Sequence, residues 1–244
     1  MANWSDPRIV GAPLGAAAGT QSAAYDAGLR SYMLSVYNYM ASGVMLTGIV
    51  ALLFAQSGYA QSIMGGPGIL KYVIMFSPLA FVMALSFGIN RMSTAAAQAT
   101  FWGFATVMGL SMSTIFLVYT GPSIAHTFFA TAGAFAGLSL WGYTTKRDLT
   151  GMGTFLIMGL VGLIIASIIN IFMQSGAMSL VISFIGVLLF AGLTAYDTQR
   201  IKSMYSYVAG TDMMGKTVIM GALSLYLDFV NMFQFLLSFM GSRD

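Results

Sequence analysis

The last apolar stretch of the chain, residues 216–240, restricts the possible folds more than any other feature. It reads KTVIMGALSLYLDFVNMFQFLLSFM and carries one carboxylate, Asp228, near its middle. A helix of roughly 20 apolar residues is long enough to span the hydrocarbon core of a bilayer. An ionisable group at that depth costs at least ~2.5 kcal/mol to insert and marks a functional site by default. Asn231 shares its helix face, so we expect this face to look into a bundle that wraps around the last helix.

The composition indicates that lipid is the solvent of the whole chain. Hydrophobic residues make up 58% of the 244 residues and charged residues 7%, whereas soluble domains carry about 25% charged residues. Soluble active sites, nucleic-acid platforms and dinucleotide folds are therefore disfavoured. The chain has no cysteine and one histidine, His126, so thiolate chemistry, catalytic triads and histidine-based metal sites are nearly excluded. We predict that the protein is not an enzyme, holds no cofactor and has no nucleic-acid partner.

Six more apolar segments precede the last one and predict an all-α, polytopic bundle of seven transmembrane helices. The predicted spans are 33–55, 70–89, 97–119, 123–142, 153–173, 178–199 and 216–240. The N-terminal residues are rich in small and polar side chains and lack the apolar core of a signal peptide. We predict a loosely ordered cytoplasmic arm over residues 1–30 and a single transmembrane domain over residues 31–244.

The positive charges predict the orientation of the bundle. Eight of the ten Lys and Arg side chains fall on one predicted side, namely Arg8, Arg30, Arg91, Lys146, Arg147, Arg200, Lys202 and Lys216. Only Lys71 and Arg243 fall on the other side. Because short loops rich in Lys and Arg stay in the cytoplasm, we predict a cytoplasmic N-terminus and an outer C-terminus. The lack of cysteines and of a targeting segment fits a bacterial plasma membrane, so we predict a multi-pass protein of the cell inner membrane.

Three ionisable groups remain near the inner half of the membrane once loop charges are set aside: Asp228, Asp197 in the sixth span and Arg91 after the second. Two carboxylates that lie close together in a low dielectric cannot both ionise cheaply, so they share a proton. A nearby arginine favours their charged forms. The trio is thus a candidate proton-driven switch, and the deprotonated pair is a candidate calcium site. The plainer alternative for Asp228 is a neutral carboxyl bonded to a neighbouring helix.

The depths of the two carboxylates present a difficulty. Asp228 lies twelve residues after Lys216, which corresponds to roughly 18 Å along a helix. Asp197 lies only three residues before Arg200, which is expected near the inner surface. The two depths then differ by on the order of 10 Å. The carboxylates meet only if the sixth helix continues past Arg200 inside a wet cavity, or if the seventh begins below the surface.

Several motifs resemble signatures of the Bax inhibitor-1 family, also called the transmembrane Bax inhibitor motif family. They are LTAYDTQRIK at 193–202, LYLDFVN at 225–231, GINR at 88–91 and GYTTKRDL at 142–149. The resemblance extends over essentially all seven predicted spans. It implies a seven-helix bundle whose C-terminal helix is central, and a calcium leak that responds to pH.

The resemblance also implies roles for individual residues. Asp197 and Asp228 would form the pH sensor, in contact with each other, and Arg91 would act as a latch on them. Some members of the family have a basic C-terminal tail implicated in regulation. This chain ends in GSRD, so regulation through such a tail is not expected here.

Other polar and aromatic side chains have two possible roles each. Asn170 and Asn231 either line an ion path or bond across helices. Tyr196 and Tyr226 either line a gate or serve packing and the interfacial belt. The turn at 146–148, KRD, is interpreted as a determinant of topology, with contact to anionic lipid as the weaker option.

Three hypotheses for the function follow, and the first is preferred. It is a pH-sensitive calcium leak channel gated by protonation of the aspartate pair, with the lipid bilayer, calcium and protons as its partners. The second is a proton-coupled secondary transporter of a small solute with Asp228 as the coupling group. The third is a non-transport regulator of membrane proteases or stress responses, acting on membrane-protein partners that the sequence does not identify.

Overall fold

A computed structural model describes residues 14–242, with side chains described from residue 23 onward. In this part of the chain the structure is all-helical and contains no β-strand. The helices are α1 Leu14–Gln56, α2 Tyr59–Met64, α3 Leu70–Gly88, α4 Thr94–Met112, α5 Ile115–Val118, α6 Gly121–Thr144, α7 Thr150–Met173, α8 Gly176–Val208 and α9 Met213–Met240.

Seven helical stretches are long and apolar enough to cross a membrane, as the sequence predicted. They are Ala23–Gln56, Leu70–Gly88, Thr94–Val118, Gly121–Thr144, Thr150–Met173, Gly176–Val208 and Met213–Met240. The third of them contains α4 and α5, which are separated by a two-residue turn. The predicted all-α, seven-span fold is therefore confirmed.

The first helix begins earlier than the hydropathy of the sequence suggests. α1 is already helical at Leu14, so residues 14–30 of the predicted loosely ordered arm are helical. Residues 1–13, including Arg8, lie outside the described residues, as does Arg243 at the other end. The division of the chain into an arm over 1–30 and a domain over 31–244 stays a prediction.

Hydroxyl side chains fix the start of three spans. Ser93 accepts a hydrogen bond from the Ala96 N–H at 3.1 Å at the start of α4, and Thr120 and Ser175 do the same for α6 and α8. Such N-caps satisfy backbone donors that the first turn of a helix leaves unpaired. Each of these caps fixes the residue at which its helix begins.

The C-terminal helix α9 occupies the centre of the bundle, as expected. Two-thirds of its most apolar window, 67%, is buried inside the protein, against at most 33% for any other span. It packs against α8, α1, α6 and α4. By contrast α7 is a peripheral helix that packs mainly on α8, and only 11% of its window is buried.

The alternation of the spans places most of the described basic residues on one side of the bundle. The ends of α3, α6 and α8 and the starts of α4, α7 and α9 meet there. This side carries Arg91, Lys146, Arg147, Arg200, Lys202 and Lys216. We refer to it below as the basic side; its assignment to the cytoplasm stays a prediction.

Candidate functional site

The sixth span is longer than predicted, and this corrects the depth estimate for the two aspartates. α8 continues eight residues past Arg200, to Val208, and α9 begins at Met213. Asp197 lies about 16 Å along α8 from the end of that helix at Val208, and Asp228 lies about 22 Å along α9 from the start of that helix at Met213. The difference is about 6 Å instead of the 10 Å inferred from the sequence. The first of the two geometric possibilities, a sixth helix that continues past Arg200, is the one observed.

Asp197 and Asp228 line the same cavity, which lies between α7, α8 and α9 and has a volume of about 550 Å³. We call it the aspartate cavity. Its other polar lining residues are Ser167, Tyr196, Arg200, Ser224 and Asn231. The remaining lining is apolar and comes mostly from α7. The two carboxylates, 31 positions apart in sequence, are thus brought to one cavity.

The two carboxyl groups differ in their surroundings. Asp228 is 4% exposed, and its Oδ2 atom is buried without a hydrogen-bond partner. Asp197 is half-buried and lies within electrostatic range of both Arg200 and Asp228. Neither carboxyl makes an ion pair within 4 Å with any described residue. An unpaired buried acceptor costs free energy, so Asp228 is held in an unfavourable position by the packing of α9.

Regular helical spacing brings the polar residues to the cavity. Ser224, Asp228 and Asn231 follow one another at intervals of four and three residues, so they share one face of α9. Asp197 and Arg200, three residues apart, share one face of α8. Asn231 donates from its amide nitrogen to the Leu227 carbonyl at 2.8 Å. Two polar stripes therefore face each other across the cavity.

Arg91 is not brought to the carboxylates. It is exposed, follows the end of α3, makes no side-chain hydrogen bond or ion pair with a described residue, and does not line the aspartate cavity. The cation that the structure places beside Asp197 is Arg200. Its three-residue spacing from Asp197 is the sequence signal that indicates this pairing. The latch role of Arg91 stays a prediction from the family resemblance.

The other residues singled out from the sequence have separate locations. Tyr196 lines the aspartate cavity, and its ring lies so close to the backbone of Gly153 that a Cβ there would have no room. Tyr226 faces the opposite side of α9, where its hydroxyl bonds to Thr47 Oγ1 at 2.6 Å. Asn170 lies at the far end of α7, where its amide nitrogen donates to Ser179 Oγ of α8 at 2.8 Å.

The two ends of the aspartate cavity differ. Phe190 and Phe235, each seven residues from a carboxylate and so about 10 Å along the helices, stack with ring centroids 5.8 Å apart. They line the end away from the basic side. Toward the basic side, Tyr196 and Arg200 line both this cavity and a second, polar one. The cavity is thus aromatic at one end and polar at the other.

The oxygen ligands suit a hydrated ion better than a tightly held one. No group of three or more Asp, Glu, His or Cys side chains able to hold a metal occurs in the described part of the chain. Calcium takes about 6–8 oxygen ligands, more than Asp197, Asp228 and Asn231 supply together. Water would have to complete the coordination of any calcium ion in this cavity.

These features define the protein as a polytopic membrane protein whose central helix carries a buried carboxylate beside a cavity. A family profile described as "Inhibitor of apoptosis-promoting Bax1" matches residues 29–244. The chain belongs to this family, the Bax inhibitor-1 family, as the sequence motifs indicated.

Curated relatives cover nearly the whole chain. An uncharacterised protein of Rickettsia prowazekii (strain Madrid E) is 48% identical, over 90% of this chain and 92% of the relative. An uncharacterised protein of Caulobacter vibrioides is 46% identical, over 89% and 91% of the two chains. The inner membrane protein YbhL of Escherichia coli (strain K12) is 42% identical, over 89% and 94%.

Proposed function

We propose that the protein is a pH-sensitive calcium leak of the inner membrane, gated by protonation of Asp197 and Asp228. The observation that carries the proposal is the cavity that both carboxylates line, with one oxygen of Asp228 buried and unpaired. Two acidic groups in one poorly solvated space are well suited to bind either a proton or a divalent cation. The family resemblance points to the same activity.

The gating follows from the charges in the cavity. No hydrogen bond joins the two carboxyl groups in this structure; a shared proton would draw them together and hold α8 against α9. With both ionised, they repel each other across a low dielectric and attract a cation. Arg200 favours the ionised forms, since its positive charge faces Asp197. We therefore expect a closed form at low pH and a conducting form at high pH.

The Phe190–Phe235 stack supports a closed resting form. It occupies the end of the cavity opposite the polar entrance, so a calcium ion that reaches the carboxylates meets two aromatic rings. Separation of α8 from α9 upon ionisation would part these rings, because each helix contributes one of them. The gate and the sensor would then lie on the same pair of helices.

Calcium flux into liposomes tests the proposal. Purified protein is reconstituted with a calcium indicator inside the vesicles, and influx is measured from pH 5 to pH 8. We expect influx to rise with pH in the wild type, and this dependence to be lost in Asp228→Asn and Asp197→Asn. Asp212→Asn serves as the matched control, because Asp212 is exposed and makes no capping hydrogen bond at the start of α9. An unchanged pH profile in both cavity variants would refute the gating role.

A proton-coupled transporter is the second candidate, favoured by one observation. The aspartate cavity has about 550 Å³, which is within the usual range of small-ligand pockets. Saturable uptake that a competitor blocks would favour this candidate over a leak. The third candidate, a regulator of membrane proteases or stress responses, predicts wild-type behaviour of cells after both aspartates are neutralised.

A further inference from the structure

A second, polar cavity of about 440 Å³ lies on the basic side, where the α6–α7 connection meets α8. We call it the basic cavity. It is lined by Lys146, Arg147, Asp148, Thr150, Tyr196, Gln199, Arg200 and Ser203. Three of these side chains are cationic and one is anionic. Neither the proposed leak nor the family resemblance uses this cluster as a binding site.

The positive charges of the basic cavity outnumber the negative ones, and none of them forms an ion pair within the described part of the chain, although Arg200 also faces Asp197. Lys146, Arg147 and Arg200 make no side-chain hydrogen bond or ion pair to any described residue. The carboxylate of Asp148 bonds to Thr150 instead of to a cation: its Oδ1 accepts from the Thr150 hydroxyl at 2.6 Å and from the Thr150 N–H at 2.9 Å. The net charge of the lining therefore attracts an anion.

The backbone around the basic cavity is held in place by one side chain of α8. Gln199 accepts from the Leu149 N–H at 2.9 Å and donates to the Arg147 carbonyl at 2.8 Å. The middle and the last residue of the α6–α7 connection are thus tied to α8, so the basic side chains project from a fixed frame. The N-terminus of the 24-residue helix α7 also opens here, and its dipole adds positive potential.

The location of the basic cavity indicates which anion it meets. It lies where α6 ends and α7 begins, beside the part of α8 that includes Arg200. Because two spans end or begin there, we expect the cavity near the lipid headgroups. Trp141, 45% exposed just before the connection, is the kind of side chain that sits at a membrane interface. The outer face of α7 continues from the cavity as an exposed apolar surface that includes Phe155 and Met158. A lipid with its phosphate in the cavity would lay its acyl chains along that face.

We propose that the basic cavity binds the phosphate headgroup of an anionic phospholipid. The three cationic side chains and the start of α7 receive the phosphate, and the apolar face of α7 receives the acyl chains. The proposal shares Arg200 with the proposed leak, but its test measures lipid binding alone. Lys146 and Arg147 line only the basic cavity, so their replacement leaves the aspartate cavity unaltered.

Native mass spectrometry of the purified protein tests the proposal, with phosphatidylglycerol and phosphatidylcholine of identical acyl chains as probes. We expect one phosphatidylglycerol to bind on the order of 100-fold more tightly than phosphatidylcholine, about fivefold for each of the three cations. In the double variant Lys146→Gln/Arg147→Gln this preference should fall by roughly fivefold for each charge removed. Lys216→Gln is the matched control, since Lys216 is a cation of the same side outside the cavity. Circular dichroism and gel-filtration elution confirm that each variant is folded.

Three results would overturn the proposal. Equal affinities for the two lipids would show that the cavity does not recognise the headgroup charge. If the loss of affinity per removed charge were the same in the double variant and in Lys216→Gln, the lipid would be attracted by the whole basic side and not by the cavity. Displacement of phosphatidylglycerol by an equal concentration of inorganic phosphate would identify a site for free phosphate instead of lipid.

Discussion

The two faces of α9 differ in how completely their polar groups are satisfied. On the face toward α1 and α4, Tyr226 is fully buried, bonds to Thr47 and packs its ring edge-to-face on Phe104 at 5.0 Å. Two residues further on, the face toward α7 and α8 carries Asp228, whose Oδ2 atom has no partner. One helix is therefore well packed on one side and borders a cavity on the other.

This difference indicates where α9 can respond to a change in charge. Close-packed interiors do not deform gradually, so the face with Tyr226 fixes α9 to α1 and α4. The other face of α9 packs extensively on α8 but borders the aspartate cavity beside Asp228, and motion concentrates in regions of low contact density. We infer that any protonation-driven rearrangement begins at the walls of the aspartate cavity, where α7 and α9 are separated by open space, while α1, α4 and α9 stay together.

The largest effect is expected from removal of a ring on the packed face. Phe104→Ala should lower the free energy of unfolding by about 3–5 kcal/mol, because it deletes a fully buried aromatic side chain and leaves a void. Leu227→Ala, which truncates a half-buried residue of the cavity face, should cost less than half as much. Reversible unfolding in mixed micelles measures both. Equal losses in the two variants would show that the faces are equally well packed.

A smaller effect, an increase in the free energy of unfolding, is expected when the unpaired carboxylate of Asp228 is replaced. Asp228→Leu should raise the free energy of unfolding at pH 8 by about 1–3 kcal/mol, since it removes a buried polar group without a partner. Asp197→Leu is the comparison variant and should gain less, because Asp197 is half-buried and faces Arg200. A clear loss of stability in Asp228→Leu would mean that the carboxylate is satisfied in the folded protein.

The sequence allowed the prediction of the spans and of the buried carboxylate, because both depend on local composition. Apolar segments of membrane length predict helices by themselves, and a lone acid inside one of them is conspicuous. The spacing of Asp228 and Asn231 also predicted their common face. These features require no knowledge of which helices are neighbours.

The end of α8 and the partners of the site could not be predicted in the same way. Hydropathy indicates contact with lipid, so the polar run QRIKSMYS at 199–206 predicts a loop. In the structure α8 continues through this run to Val208. The depth of Asp197 was underestimated for this reason. The bond between Tyr226 and Thr47 joins residues 179 positions apart, and such pairs depend on the packing of the whole bundle.

A modest loss is expected when the hydrogen bond on the packed face is removed. Tyr226→Phe should cost about 0.6 kcal/mol, the average for a side-chain hydrogen bond between membrane helices. The loss is limited because Thr47 keeps its bond to the Ala105 carbonyl at 2.8 Å. Tyr207→Phe is the control, since Tyr207 is 83% exposed, and it should be neutral. The same micelle unfolding assay measures both; a cost above about 2 kcal/mol would mean that Thr47 is left unsatisfied.

The smallest effect is expected at Asp148, an exposed carboxylate that, unlike Asp228, has partners for its charge. Hydrogen bonds from the Thr150 hydroxyl and then from the Thr150 N–H lower the pKa of Asp148 below its ordinary value of 3.8. A carboxyl with a lowered pKa in the folded state stabilises the protein above its ordinary pKa, and this contribution is lost as pH falls through the lower, folded-state value. Acid should therefore weaken the start of α7, which forms one wall of the aspartate cavity.

The variant Asp148→Asn isolates this contribution, because the side chain keeps an acceptor but no longer titrates. We expect the melting temperature of the wild type to exceed that of the variant slightly at pH 6, and the difference to vanish near pH 2. Asp212→Asn, whose carboxylate makes no capping bond, should show no such pH-dependent difference. If the melting temperatures of the wild type and Asp148→Asn instead differed more at low pH, the sign would be wrong for a carboxylate stabilised in its charged form. The acid sensitivity of α7 would then come from another group.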